Sequence, residues 1–115
     1  MKSYTDIEQS KKLAEILPIE SADMCYPKDA FEYNYAKEPV CHYSGIGLAH
    51  PCWSLTALLN VLDYPQLSKD KLGGGKTGWM VSVYPDNCRH DSCWHDNPVD
   101  ACVGMIIKLK EINSL

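Results

Sequence analysis

Two cysteines and two histidines lie within eight residues of one another, at Cys88, His90, Cys93 and His95. Thiolates and imidazoles are the ligands that zinc prefers, and a structural zinc site takes four ligands in a tetrahedron. The spacing differs from common zinc motifs, in which a longer connection separates two ligand pairs. Two interpretations stay open: zinc bound by these residues, or a polar loop whose cysteines and histidines share no role.

Cys52 is the candidate nucleophile, because it precedes Trp53 and the predicted start of a helix. A helix N-terminus lowers the pKa of a thiol and favours the reactive thiolate. The Cys-Trp pair resembles the nucleophile region of papain-like proteases, which implies a histidine base: His42, His90 or His95. The glutamine that those proteases carry ahead of the cysteine has no recognisable counterpart. The alternative is that Cys52 and Trp53 fasten the helix to the core.

A run of three glycines followed by lysine and threonine, at residues 73–77, is similar to the end of a P-loop. The first glycine of that motif would fall at Asp70, and a strand rather than a helix is predicted to follow. We therefore reject a nucleoside-triphosphate motif. Residues 71–78 are predicted to form a loop, and Lys69, Lys71 and Lys76 would attract an anion there. The alternative is a solvated connection between strands.

Five of the eleven aromatic residues lie between Tyr26 and Tyr43. Phe31, Tyr33 and Tyr35 alternate with other residues, which predicts a strand with these three rings on one face. Aromatic residues are enriched at interfaces and in ligand pockets, so this face is either core or a recognition surface. The predicted ligand- or partner-binding residues are Tyr33, Tyr35, Tyr43, Lys76, Trp79 and Arg89.

Three helices are predicted from apolar residues at helical spacing. The first spans about residues 6–17, and Thr5 with Glu8 would form its capping box. The second follows the N-cap Ser54, and the third begins at Pro98 after the N-cap Asn97. The apolar stripe of the second helix is Leu55, Leu58, Leu59 and Leu62.

Strands are predicted at residues 79–84 and before the first turn, near Met24 and Tyr26. Trp79, Val81 and Val83 would share one face of the later strand. Helices and strands together predict an α+β fold, with three helices packed on a small, mainly antiparallel sheet. At 115 residues, the chain is expected to form one domain over residues 1–115.

Composition excludes some classes of protein. The chain has 11 basic and 15 acidic residues and a single arginine, so a dedicated nucleic-acid binder is not expected. No apolar run approaches the roughly 20 residues that span a bilayer, so we expect no membrane partner. The first residues lack the apolar stretch of a signal peptide, which predicts a cytoplasmic protein with six free thiols.

Three stretches resemble a group of small proteins of gut bacteria and their phages or other mobile elements. They are YTDIEQSKKL at residues 4–13, PCWSLTALL at 51–59 and DNPVDAC at 96–102. The resemblance therefore covers parts of all three predicted helices. That group has no established activity, so it supplies no catalytic residue. It implies a cytoplasmic accessory protein carried by a phage or mobile element.

The leading functional hypothesis is non-enzymatic binding of a protein partner or small ligand, without a cofactor. A homodimer would be one form of such binding. A second hypothesis is sequestering of a small nucleotide-type signal, stacked on a tyrosine or tryptophan and contacted by Lys76 or Arg89. A hydrolase based on Cys52 and a structural module stabilised by zinc are the third and fourth hypotheses.

Overall fold

A computed structural model describes residues 2–27, 40–41, 49–85 and 87–115. Within them, the predicted α+β class is confirmed: three α-helices accompany two antiparallel sheets, rather than one, of three strands each. The helices are α1 (Ile7–Ala14), α2 (Leu55–Val61) and α3 (Pro98–Glu111). The strands are β1 (Met24–Pro27), β2 (Val40–Cys41), β3 (Ala49–Cys52), β4 (Gln66–Leu72), β5 (Lys76–Val83) and β6 (His90–Asp91). None of the described helices is long and apolar enough to cross a membrane.

The first sheet has the order β2-β1-β3, and α1 packs against β3. A small apolar cluster holds them together around the buried side chains of Tyr26 and Cys52. Tyr4, Ile7 and Met24 cover this cluster from the N-terminal segment, α1 and β1. Burial on two elements at once explains why these short strands persist beside a helix of only eight residues.

The predicted capping box of Thr5 and Glu8 is wrong. Asp6 is the N-cap of α1: its carboxylate accepts from Gln9 N–H at 2.8 Å, and the Gln9 side chain accepts from Asp6 N–H at 3.1 Å. Thr5 points inward instead, where its hydroxyl accepts from Trp53 N–H at 3.1 Å. The buried Trp53 N–H needs an acceptor, and this need determines the orientation of the Thr5 hydroxyl instead of helix capping. The helix also ends earlier than predicted, at residue 14.

A polar network ties the N-terminal segment to α3. Lys2 Nζ lies 2.9 Å from the carboxylates of both Asp6 and Asp100. Gln9 donates to Asp100 at 2.7 Å, and the Asn97 side-chain amide donates at 2.9 Å. Burial alone would raise the pKa of Asp100, but the hydrogen bonds from Lys2, Gln9 and Asn97 outweigh it and lower the pKa.

The second sheet has the order β4-β5-β6, and α3 packs on its central strand. The loop predicted over residues 71–78 is wrong in extent: β4 and β5 run through it, and only Gly73–Gly75 turns. Gly74 and Gly75 have φ values of 78° and 79°, a region that favours glycine. The turn therefore lets two strands pair residue by residue from Gln66↔Ser82 to Leu72↔Lys76.

The main core lies between α2, α3 and the second sheet. The predicted N-caps are confirmed, because Ser54 accepts from Ala57 N–H and Asn97 accepts from Asp100 N–H. The largest fully buried apolar side chains of this core are Trp53, Leu13, Leu58, Met105, Ile106, Val81, Val83 and Val99. Each contributes about 1.5–3 kcal/mol by leaving water, so this core fixes the orientation of β5.

Candidate binding face

Four side chains form one face of the β4–β5 hairpin, which we call the hairpin face: Lys69, Lys71, Thr77 and Trp79. Lys69 lies directly opposite Trp79, and Lys71 lies opposite Thr77. Opposed residues and those two apart along a strand project to the same side of a sheet. Lys69 Nζ lies 5.2 Å from the centroid of the Trp79 ring, which is cation–π distance. The ring therefore holds one ammonium group at a fixed place on the surface.

The hairpin is cationic on a chain that is anionic. Residues 66–79 include three lysines and a single aspartate, whereas the whole chain carries −4. The Asp70 carboxylate is partly engaged, because Oδ1 accepts from Lys71 N–H at 2.8 Å. Lys69, Asp70, Lys71 and Thr77 line a shallow depression of about 450 Å³. Two ammonium groups and a hydroxyl thus border a depression into which an anion can settle.

Trp79 is held in place from its other side. Its backbone exchanges two hydrogen bonds with His95, of 2.7 and 2.8 Å. The His95 ring lies against Gly104 of α3, where an added Cβ would stand 3.1 Å from Nε2. Gly104 therefore gives the imidazole room beside the helix. The core helix, His95 and Trp79 form one packed connection that positions the hairpin face.

Among the described residues, the predicted binding residues Lys76, Trp79 and Arg89 do not lie together. Trp79 is in the hairpin face, but Lys76 alternates to the opposite face of β5. Arg89 donates to Asp91 at 2.8 Å and lies 3.4 Å from the Ser82 hydroxyl. Ser82 is six positions from Lys76, about 20 Å along the strand. The predicted residues Tyr33, Tyr35 and Tyr43 lie outside the described residues.

The two histidines of the cysteine and histidine cluster pair with β5 at different places: His90 belongs to β6, and His95 forms an isolated bridge. His90 pairs with Val83, and His95 pairs with Trp79, so the two histidines are separated by four positions of β5. That separation corresponds to about 13 Å between the two backbone positions. In the described part of the chain, no three metal-ligating side chains are grouped. Cys88 and Cys93 are exposed free thiols.

Cys52 is fully buried at the end of β3. Its thiol lies 3.4 Å from the Thr5 carbonyl oxygen, to which it donates. Burial raises the pKa of Cys52, and hydrogen bonds from neighbouring side chains offset this only in part. The helix that follows is capped by Ser54, so Cys52 stands outside its first turn. A neutral thiol without access to solvent favours the fastening role over nucleophilic attack.

The sequence predicts Lys69 and Lys71 as anion-attracting residues but places them beside a loop. Their grouping with Trp79 depends on β4, a strand that was not predicted. This strand could have been recognised because residues 66–72 are as long as the segment of the strand that follows the glycines and pairs with these residues. A hairpin centred on Gly73–Gly75 would have set Lys69 against Trp79.

The chain matches no protein-family model, no curated protein and no solved structure. Its function is therefore inferred from the chemistry of the described residues.

Proposed function

We propose that this protein acts by non-enzymatic binding, and that the hairpin face contacts a negatively charged group of its partner. The observation that carries the proposal is the Lys69 ammonium group held 5.2 Å from the Trp79 ring centroid. Lys71 and Thr77 on the same face supply a second cation and a hydroxyl donor.

The restricted side chain of Lys69 and the charge distribution of the chain both support binding at the hairpin face. A cation on a flexible side chain loses rotamer freedom when it engages an anion, and this loss weakens surface ion pairs. At Lys69 the contact with Trp79 already limits that freedom, so less is lost on binding. The negative charge of the remaining chain disfavours anions elsewhere and directs them to the hairpin.

The wider role rests on the resemblance at residues 4–13, 51–59 and 96–102. An accessory protein of a phage or mobile element acts on components of its host. Binding without catalysis is one way to do so, because occupying a partner's surface needs no reaction. Cytoplasmic location is part of this proposal.

The test is nuclear magnetic resonance titration of the labelled protein with inorganic phosphate and with a short polyglutamate peptide. We expect backbone signals of residues 66–79 to shift more than those of α1 or α3. The double variant Lys69→Gln/Lys71→Gln should lose about two- to thirtyfold in affinity, the range for two exposed ion pairs.

The matched control is Lys12→Gln/Lys110→Gln, which removes the same charge from exposed lysines in the last turns of α1 and α3. If control and hairpin variants lose affinity equally, binding depends on net charge alone and the hairpin face is not the site. Absence of any shift in residues 66–79 with either anion would also refute the proposal.

A further inference from the structure

We propose that the occupant of the hairpin face is an extended acidic peptide segment of a protein partner, added as a strand along the outer edge of β4. This inference rests on the proposed function and specifies the partner. Its carboxylates would lie two residues apart and face Lys69 and Lys71.

The edge of β4 is suited to strand addition. β4 has seven residues and stands at the end of the sheet order β4-β5-β6. Within the described ranges, β5 is its one neighbour, and the backbone groups of its other side have no strand partner. Such an edge binds an extended peptide through main-chain hydrogen bonds, and alternate side chains then give specificity.

The charges on β4 have the period of a strand. Lys69 and Lys71 are two positions apart, so their ammonium groups project from one face about 7 Å from each other. Residues of an added strand that face this side are also two positions apart. A segment with Asp or Glu at alternate positions therefore matches the two lysines, while a run of adjacent acidic residues places half its charge on the wrong face.

A small aromatic ligand such as a nucleotide fits less well. Small-molecule sites are concave and bury most of their ligand, whereas this depression is shallow and lined by four exposed residues. The Lys69 ammonium group also lies over the Trp79 ring and covers a ring face on which a base would stack. The hairpin face therefore offers an ammonium group held against an aromatic ring, rather than an open ring face on which a base could stack.

The Asp70 carboxylate repels an acidic strand, so a variant without this charge should bind such a strand more tightly rather than more weakly. This carboxylate is the single acidic group among residues 66–79, and it accepts from Lys71 N–H. Asp70→Asn removes the charge but keeps an oxygen acceptor for that N–H. An acidic strand should therefore bind Asp70→Asn about two- to fivefold more tightly, the range of one exposed charge pair.

The experiment measures affinities of fluorescently labelled peptides for the full chain by anisotropy. The alternating probe is Glu-Val-Glu-Thr-Glu-Val-Thr, and the control of equal composition is Glu-Glu-Val-Thr-Val-Thr-Glu. Adenosine monophosphate and inorganic phosphate serve as small-anion competitors. Two further probes carry N-methyl groups on the odd or on the even amides of the alternating peptide, because only one set can face β4.

We expect the alternating peptide to bind more tightly than the control by up to about fivefold, as one additional ion pair allows. One N-methylated probe should lose about tenfold or more, since several main-chain hydrogen bonds fail, and the other should bind nearly unchanged. Equal affinities of the two peptides, or equal effects of the two methylation patterns, would overturn strand addition. So would adenosine monophosphate binding more tightly than the alternating peptide.

The failure of this inference differs from the failure of the proposed function. If both peptides bind equally and both lose affinity with Lys69→Gln/Lys71→Gln, the cationic face is the site but no strand is added. If no probe, phosphate included, depends on these lysines, the hairpin face is not a binding site.

Discussion

Replacing Thr5 by valine tests the contact that joins the N-terminal segment to the core. The Thr5 hydroxyl lies 2.8 Å from Ser10 Oγ, 3.1 Å from Trp53 N and 3.5 Å from Cys52 Sγ, and Thr5 is fully buried. Valine keeps the shape but leaves the Trp53 N–H without its hydroxyl acceptor and deprives Ser10 of a partner.

Each buried polar group that loses its partner costs about 1–3 kcal/mol, so we expect Thr5→Val, which affects two such groups, to cost about 2–6 kcal/mol in total. For a domain of this size, 1 kcal/mol corresponds to about 4 °C, and the melting temperature should fall by about 8–24 °C. The measurement is urea and thermal unfolding followed by circular dichroism.

Thr5→Ser is the control, because serine retains the hydroxyl and removes one methyl group, at a cost of about 1 kcal/mol. If Thr5→Val is no less stable than Thr5→Ser, the hydroxyl contributes nothing to stability and the inward role of Thr5 is refuted. A capping role would instead leave the stability of Asp6→Ala unchanged, whereas the structure predicts a loss of about 1 kcal/mol there.

Three further predictions concern other parts of the chain. Iodoacetamide at pH 8 should modify exposed Cys88 well before buried Cys52, and peptide mass spectrometry showing equal rates would contradict the burial of Cys52. The interactions that lower the pKa of Asp100 stabilise the fold above about pH 4, and this stabilisation is lost as the pH falls through the folded-state pKa. Asp100→Asn should therefore reduce the fall of the urea midpoint at acid pH. If the urea midpoints of the wild type and of Asp100→Asn fall equally at acid pH, this prediction is wrong. Gly74→Ala should cost about 1–2 kcal/mol because of its positive φ, whereas Gly73→Ala, with open space around its Cβ, should unfold like the wild type.

Local sequence patterns predicted the helix starts at Ser54 and Asn97, because each cap is satisfied within three residues of its own chain. The same rule was wrong for Thr5. There the deciding partner is Trp53, 48 positions away, and no local pattern contains it. Asp6, the next residue, took the capping role that Thr5 left.

The hairpin face was only partly predictable. β4 has no apolar alternation, because it is an edge strand whose side chains are mostly exposed, and so it was missed. Trp79 was predicted correctly on the face shared with Val81 and Val83, since β5 is half buried. Its neighbour Lys69 follows from pairing register, which depends on the turn between the strands.

The zinc hypothesis depended on the path of the chain between Cys88 and His95. Four ligands at these spacings converge only if the chain folds back on itself between them. In the structure, His90 and His95 pair with β5 at positions four residues apart, and no three metal-ligating side chains are grouped among the described residues. Residue types alone do not distinguish the extended path from the folded one.

The contact between Thr5 and Cys52 has a kinetic consequence. The buried thiol lies under the N-terminal segment, and Thr5 N–H donates to the Trp53 carbonyl at 2.9 Å. A reagent can reach Cys52 when this segment lifts away, even while the hairpin and the main core remain folded. The native-state alkylation rate of Cys52, divided by that of a fully exposed thiol, then gives the equilibrium constant for this partial opening. The chain thus carries its own chemical probe of how often its first residues detach, and the N-terminal segment can be compared with the whole domain without an added label.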